Sequence, residues 1–251
     1  MLRKLYKERT IWDNLMLGMV TAFSAGMVNV ASLIVFLAFT SNVTGHYAIL
    51  AHKIANGDWM EATVILGWIA LFFLGNVVSN LFIVNGRSQY MKHALPLLLE
   101  ISCLIFIGVY LQFYYASRLW ETEMMVATVL FAMGLQNGLT ASVSNMSLKT
   151  THLTGLTTDL AIVFSLMTKK KHRNDQVVVE KAWLLGSVLI SYMAGGVVAG
   201  VSYIALESNV FFVVSCLLAL VIIFDVLHIA SKRVMNVSQP FIRRSYSERD
   251  T

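Results

Sequence analysis

Six apolar runs set the terms for this chain: about Leu15–Phe39, Ala62–Val84, Leu95–Tyr115, Met124–Ser144, Ala182–Leu206 and Val210–Ala230. None contains a lysine or an arginine. A helix needs about 20 apolar residues to cross a bilayer, and each run meets that length. Charged residues make up only 13% of the chain and hydrophobic ones 57%, against roughly 25% charged in a soluble domain. Too little polar sequence remains for a separate soluble unit. The 251 residues therefore read as a single all-α membrane domain, 1–251. Trp12, Trp59, Trp120 and Trp183 stand at or just outside run ends, where interfacial tryptophans belong.

Charge orients the runs. The first ten residues carry Arg3, Lys4, Lys7 and Arg9 ahead of an apolar stretch too long for a signal peptide, so that stretch reads as an uncleaved span. With six spans and a cytoplasmic N-terminus, 17 of the 19 lysines and arginines fall inside, leaving Lys53 and Arg118 outside. Both tails, 1–14 and 231–251, are expected in the cytoplasm. The basic cluster Lys169-Lys170-Lys171-His172-Arg173 and the pI near 9.2 express this topology and not an affinity for nucleic acid. Eight spans would give a similar split, if Val43–Ala55 and Leu153–Thr168 also crossed. Both segments are short, and the first holds His46, His52 and Lys53. They are expected to be re-entrant or broken half-helices, which survive at membrane depth only where protein or a cavity surrounds them.

These two segments belong to a repeat. Ser24-Ala25-Gly26-Met27-Val28-Asn29 is followed by Asn42-Val43-Thr44-Gly45; Ala132-Met133-Gly134-Leu135-Gln136-Asn137 is followed by Leu153-Thr154-Gly155. The first glycine leads the second by 19 residues in one copy and 21 in the other. Gly75-Asn76 in the second run and Gly195-Gly196 in the fifth extend the match. Each half, 15–115 and 124–230, then holds three spans and one short segment. Three is odd, so the halves are expected to be inverted repeats.

With Pro96 and Pro240 the only prolines, glycine and small polar residues must interrupt the helices. A Thr-Gly before a short helix supplies a hydroxyl and a turn, and the helix N-terminus offers unpaired N–H groups to electron-rich ligands. Asn29, Thr44, Gly45, Gln136, Asn137, Thr154 and Gly155 are thus the candidate solute-binding residues. Asp159, one turn after Gly155, and Glu100, within the third run, are candidates for proton or ion coupling, since intramembrane acids are costly to keep. The six histidines show no ligand spacing, Cys103 and Cys216 lie in apolar runs, and no nucleotide or hydrolase motif occurs. No metal, cofactor or enzymatic activity is expected.

The paired motifs, Ser24-Ala25-Gly26-x-x-Asn29 with Ser41-Asn42-Val43-Thr44-Gly45 and Ala132-Met133-Gly134-Leu135-Gln136-Asn137 with Leu153-Thr154-Gly155, resemble those of the YoaK-like bacterial multi-pass membrane proteins, a domain of unknown function (1275). The resemblance spans nearly the whole chain. It implies a bacterial inner (plasma) membrane location and a compact six-span unit, and brings no established substrate. It also implies an acid at the position of Asn29, where this chain has an amide, so the first motif is not expected to carry a proton. The function expected is a secondary transporter or permease for a small solute bound between the halves. The alternative is a non-transporting scaffold or regulatory protein whose halves meet in a dry, filled interface. The bilayer and a small-molecule solute are the expected partners; homodimerisation is compatible with the sequence and undecided by it.

Overall fold

A computed structural model describes residues 11–86, 88, 90–144 and 150–227, apart from the side chain of Ile11. The basic segment 1–10, Arg87, Lys149 and the tail 231–251 lie outside the described residues. Those described are helical almost throughout: α1 (Ile11–Phe36), α2 (Val43–Ala55), α3 (Trp59–Asn85), α4 (Met91–Phe113), α5 (Leu119–Val143), α6 (Leu153–Met167), the single turn α7 (Lys170–Arg173), α8 (Gln176–Leu206), and α9 over 210–227. Among the described residues there is no strand.

Five helical stretches are long and apolar enough to cross a membrane: Trp12–Phe36, α3, α4, α5 and the continuous run Gln176–Leu227. These are the helices of a multi-pass membrane protein. The fifth stretch, at 52 residues, would extend roughly 78 Å if straight, well beyond a hydrocarbon core of about 30 Å. It is broken by the 3-10 turn Glu207–Asn209, where Glu207 takes φ +48° and ψ −128°. A positive φ is costly for any residue with a Cβ, and the others among the described non-glycine residues also mark breaks. Leu37 (φ +57°) ends α1, so the apolar run stops three residues before Phe39, and Ser117 (φ +56°) lies in the link between α4 and α5.

Several helices begin earlier than their apolar runs. α3 starts at Trp59 instead of Ala62, and α8 at Gln176 instead of Ala182, because Glu61, Glu180 and Lys181 interrupt the apolar pattern without interrupting the helix. Asp175 caps α8 through its carboxylate, which accepts from Val177 N at 3.0 Å. At the α2–α3 turn Lys53 bridges Asp58 (3.4 Å) and Glu61 (2.6 Å), anchoring the end of the short helix.

Lateral packing pairs helices that are distant in sequence. α1 lies along α8 and α3 along α5, and these are the most intimate contacts in the molecule. Glycine explains the closeness. A Cβ on Gly26 would overlap the carbonyl oxygen of Tyr192, and one on Gly195 that of Phe23. In the other pair, a Cβ on Gly134 would overlap the carbonyl oxygen of Phe72, and one on Gly75 that of Phe131. Backbone touches backbone at both crossings, as small residues permit in membrane helix pairs. The contacts also fix directions. Phe23 and Gly26 meet α8 between Tyr192 and Gly196 and Val30 meets it at Gly196 and Gly200, while Phe72 meets α5 at Gly134 and Ser79 at Gly138, so both pairs are parallel. α4 and α9 are antiparallel: Gly108, late in α4, meets the ring of Phe212, while Tyr90, just before α4, donates to Ile222 O at 3.0 Å.

The core lies between α1, α4, α5, α8 and α9, and includes Leu17, Met27, Leu104, Leu130, Met133 and Phe211, all essentially inaccessible. Outer faces are equally apolar. On α8, Leu185, Val188, Tyr192 and Ala199 turn inward, and Ile190, Val197, Val201 and Ile204 outward. A helix apolar on every side suits lipid on one face and protein on the other.

Candidate functional site

The two Thr-Gly segments form matching elbows. In the first, Thr40-Ser41-Asn42 leads into α2; in the second, Thr150-Thr151-His152 leads into α6. Their cap residues share a backbone conformation, φ −102° and ψ 71° at Asn42 against φ −95° and ψ 62° at His152. Burial matches position by position over 41–50 and 151–160, with Ser41 and Thr151, then His46 and Leu156, turned inward. The glycine has a local reason in each copy. The Asn42 side chain folds back over Gly45, where a Cβ would come within 3.1 Å of its Nδ2, and the His152 ring occupies the space that a Cβ on Gly155 would need.

Hydrogen bonding separates the copies. Asn29 Oδ1 accepts from Thr40 N (2.9 Å) and Ser41 N (3.1 Å), tying the first elbow to α1. The Ser41 hydroxyl pairs with Tyr192 OH at 2.9 Å, and Asn42 Oδ1 accepts from Gly45 N at 3.3 Å. His46 Nε2 donates to Phe39 O at 2.8 Å, with its ring edge-on to Trp68 at 5.3 Å. Among the described residues the second elbow has none of these ties. Asn137 Oδ1 is buried without a partner, and His152 makes no side-chain cap bond. Phe72 stands where Tyr192 stands in the other pair, each three residues before a crossing glycine, so the counterpart of the Ser41–Tyr192 bond cannot form.

Between the elbows lies a cavity of about 560 Å³. Asn29, Ser41, Asn42 and Thr44 border it from one side and Asn137, Thr151, His152 and Thr154 from the other, with Asn76 and Tyr192 between them. Phe39, Val43, Phe72, Ala141 and Leu153 complete the lining. Among the described residues no Asp, Glu, Lys or Arg borders it, and no three of His, Cys, Asp or Glu come together as a metal would require. Its chemistry is that of amides, hydroxyls, one imidazole and two helix starts facing aromatic rings.

Of the residues singled out from sequence, Asn29, Thr44, Asn137 and Thr154 meet at this cavity. Gly45 and Gly155 shape the elbows without lining it. Gln136 does not reach it: one position from Asn137 is about 100° around the helix, and Gln136 is fully buried against α1, where its Nε2 donates to Thr21 O. Asp159 lies on the exposed face of α6, away from the cavity. Glu100 is fully buried in α4, both carboxylate oxygens without a partner, and also away from it.

Sequence reasoning missed Tyr192, Asn76, Thr151 and His152. Asn76 sits in the Gly75-Asn76 pair that extends the repeat, which was its available signal. Thr151 and His152 could have been found by aligning the elbows three residues further back, Thr40-Ser41-Asn42 on Thr150-Thr151-His152. Nothing in the sequence marks Tyr192.

A family model described as protein of unknown function (DUF1275) matches residues 17–224. No curated protein and no solved structure matches the chain.

Proposed function

The chain belongs to the DUF1275 family of proteins of unknown function, and from that premise we propose that it is a secondary transporter or permease of a small polar solute. The observation that carries the proposal is the polar cavity between the two motif copies. A scaffold built from a purely structural repeat has no need of one, and a dry, filled interface is what that alternative expects. The solute binds among Asn29, Thr44, Asn137 and Thr154, and access alternates by rocking of one half against the other.

Helix directions support six crossings in two inverted halves. Parallel α1 and α8 require that both short helices cross or that neither does. Antiparallel α4 and α9 then favour neither, which leaves α2 and α6 as re-entrant half-helices and makes the Glu207–Asn209 turn a reversal between a fifth and a sixth span. The equivalent glycine crossings of α1 with α8 and of α5 with α3 support a two-fold relation between the halves. With the positive-inside rule, both termini are cytoplasmic in the bacterial inner membrane. Neither Asp159 nor Glu100 borders the cavity, so no coupling ion is assigned to the binding site.

The test is uptake into proteoliposomes across a panel of radiolabelled polar solutes. A member of the panel is expected to accumulate, and uptake should fall at least about tenfold in Asn137→Ala, the loss of one hydrogen bond to a charged or strongly polar group. Gly155→Leu, which displaces the His152 ring, should do the same. Full uptake by both variants, correctly folded, would remove the site assignment.

A further inference from the structure

The cavity is lined alike on both sides by type of residue, but its polar groups are not equally free. On the first side the Ser41 hydroxyl is engaged by Tyr192, and the Asn29 carboxamide oxygen holds the elbow. On the second side Thr151 is only 8% exposed, borders the cavity, and has a hydroxyl without a partner among the described residues. Its freedom has a cause in the fold. Phe72 occupies the place of Tyr192 and brings no hydroxyl to meet it. Beside Thr151 begins α6, a helix of 15 residues, with Leu153 and Thr154 bordering the cavity. The N–H groups of these first helical residues have no acceptor within the helix, and the helix dipole favours negative charge at this end.

We infer that this wall, formed by Thr151 and the start of α6, is an anion subsite that takes the carboxylate of a small monocarboxylate. The inference rests on the cavity being the solute site proposed above, and names the class of solute. The lining excludes other classes. Without an aspartate or glutamate, the lining has no group to balance a cation's charge. Without lysine or arginine, the wall meets an anion with a hydroxyl, helix N–H groups and the His152 imidazole, a set that suits a single negative charge better than several. Phe39, Phe72 and Leu153 give the rest of the solute an apolar seat, so a short hydrocarbon or aromatic tail suits it better than a sugar. The solute lies off-centre, against the second elbow, because the first has already engaged its polar groups on itself.

The test uses the purified full chain in detergent, with binding measured by calorimetry at fixed pH. Butyrate and benzoate are the probes, compared with butyramide and benzamide and with butylamine and benzylamine. The carboxylates are expected to bind at least about tenfold more tightly than the amides, and the amines not to bind. Thr151→Val should weaken carboxylate binding about tenfold, as loss of a hydrogen bond to a charged group does, while Thr151→Ser restores it. Phe72→Tyr supplies the missing hydroxyl, closes Thr151 as Ser41 is closed, and should weaken binding by a similar factor.

Amides that bind as tightly as carboxylates, with binding still lost in Asn137→Ala, would overturn the anion class and leave the cavity as the solute site. A folded Thr151→Val or Phe72→Tyr variant that binds carboxylates as the parent does would overturn the subsite. If no probe of any class binds, the subsite falls, and the transport reading is then decided by the uptake panel alone.

Discussion

The two elbows share a backbone and divide in what their side chains do. The first closes on itself: Asn29, Ser41, Asn42 and His46 each engage a neighbour, and the segment is fastened to α1 and α8. The second keeps the same cap conformation and the same alternation of buried positions while, among the described residues, leaving the Asn137 carboxamide oxygen and the Thr150 hydroxyl without a partner. Duplicated geometry therefore does not mean duplicated chemistry. One copy satisfies the polar groups of its own turn, and the other leaves polar groups for something else to satisfy.

The comparison breaks most readily at the glycine crossings, where the copies are expected to be equal. Gly26→Leu and Gly134→Leu should each destabilise the protein by about 3 kcal/mol or more, since the added side chain meets a backbone carbonyl that cannot give way. Yield of monodisperse protein and thermal unfolding in detergent are the measurements. Loss in one variant but not the other would show that the crossings are not equivalent.

A smaller and unequal effect is expected at the asparagines. Asn29→Ala strands the N–H groups of Thr40 and Ser41, and should cost about 2 kcal/mol. Asn137→Ala removes a carboxamide whose oxygen bonds nothing among the described residues, and should cost less than about 0.5 kcal/mol while lowering solute uptake at least about tenfold. Equal losses of stability at the two positions would dissolve the distinction between a fastened and an open elbow.

The smallest effect sharpens the picture at Tyr192. Tyr192→Phe and Ser41→Ala should each cost about 1 kcal/mol, and the double variant no more than either one, because both remove the same bond. Additive losses in thermal unfolding would mean that the two hydroxyls act apart.

Much of the fold could be read in the sequence because membrane helices announce themselves by length and apolarity. The short helices were equally legible: α2 occupies Val43–Ala55 as the Thr-Gly turn and the polar Asn56-Gly57-Asp58 bound it, and α6 departs from expectation only at Thr168. Helix starts were not, because the opening turns that carry Glu61 in α3 and Glu180 in α8 lie beyond the apolar run that marks the span. At the site, the repeated asparagines and threonines were visible as a pattern, since each recurs with the glycine that makes room for it. Facing direction was not, and that is why adjacent Gln136 and Asn137 were grouped although one turns to the core and the other to the cavity. Tyr192 was invisible for a different reason. Its role exists only because α8 lies against α1, a pairing that no local pattern encodes.

That pairing also sets an order of events. Gly26 and its neighbours enter the membrane early in synthesis, yet the backbone they touch belongs to Tyr192 and Gly195. At a translation rate of about 5–20 residues per second, roughly 10–30 s separate the emergence of one from the other. Through that interval the first helix stands in lipid with its glycine face bare, and so does the growing half-protein around it. The chain has no finished half at any stage of its making, and the first helix to be inserted is among the last to find its place.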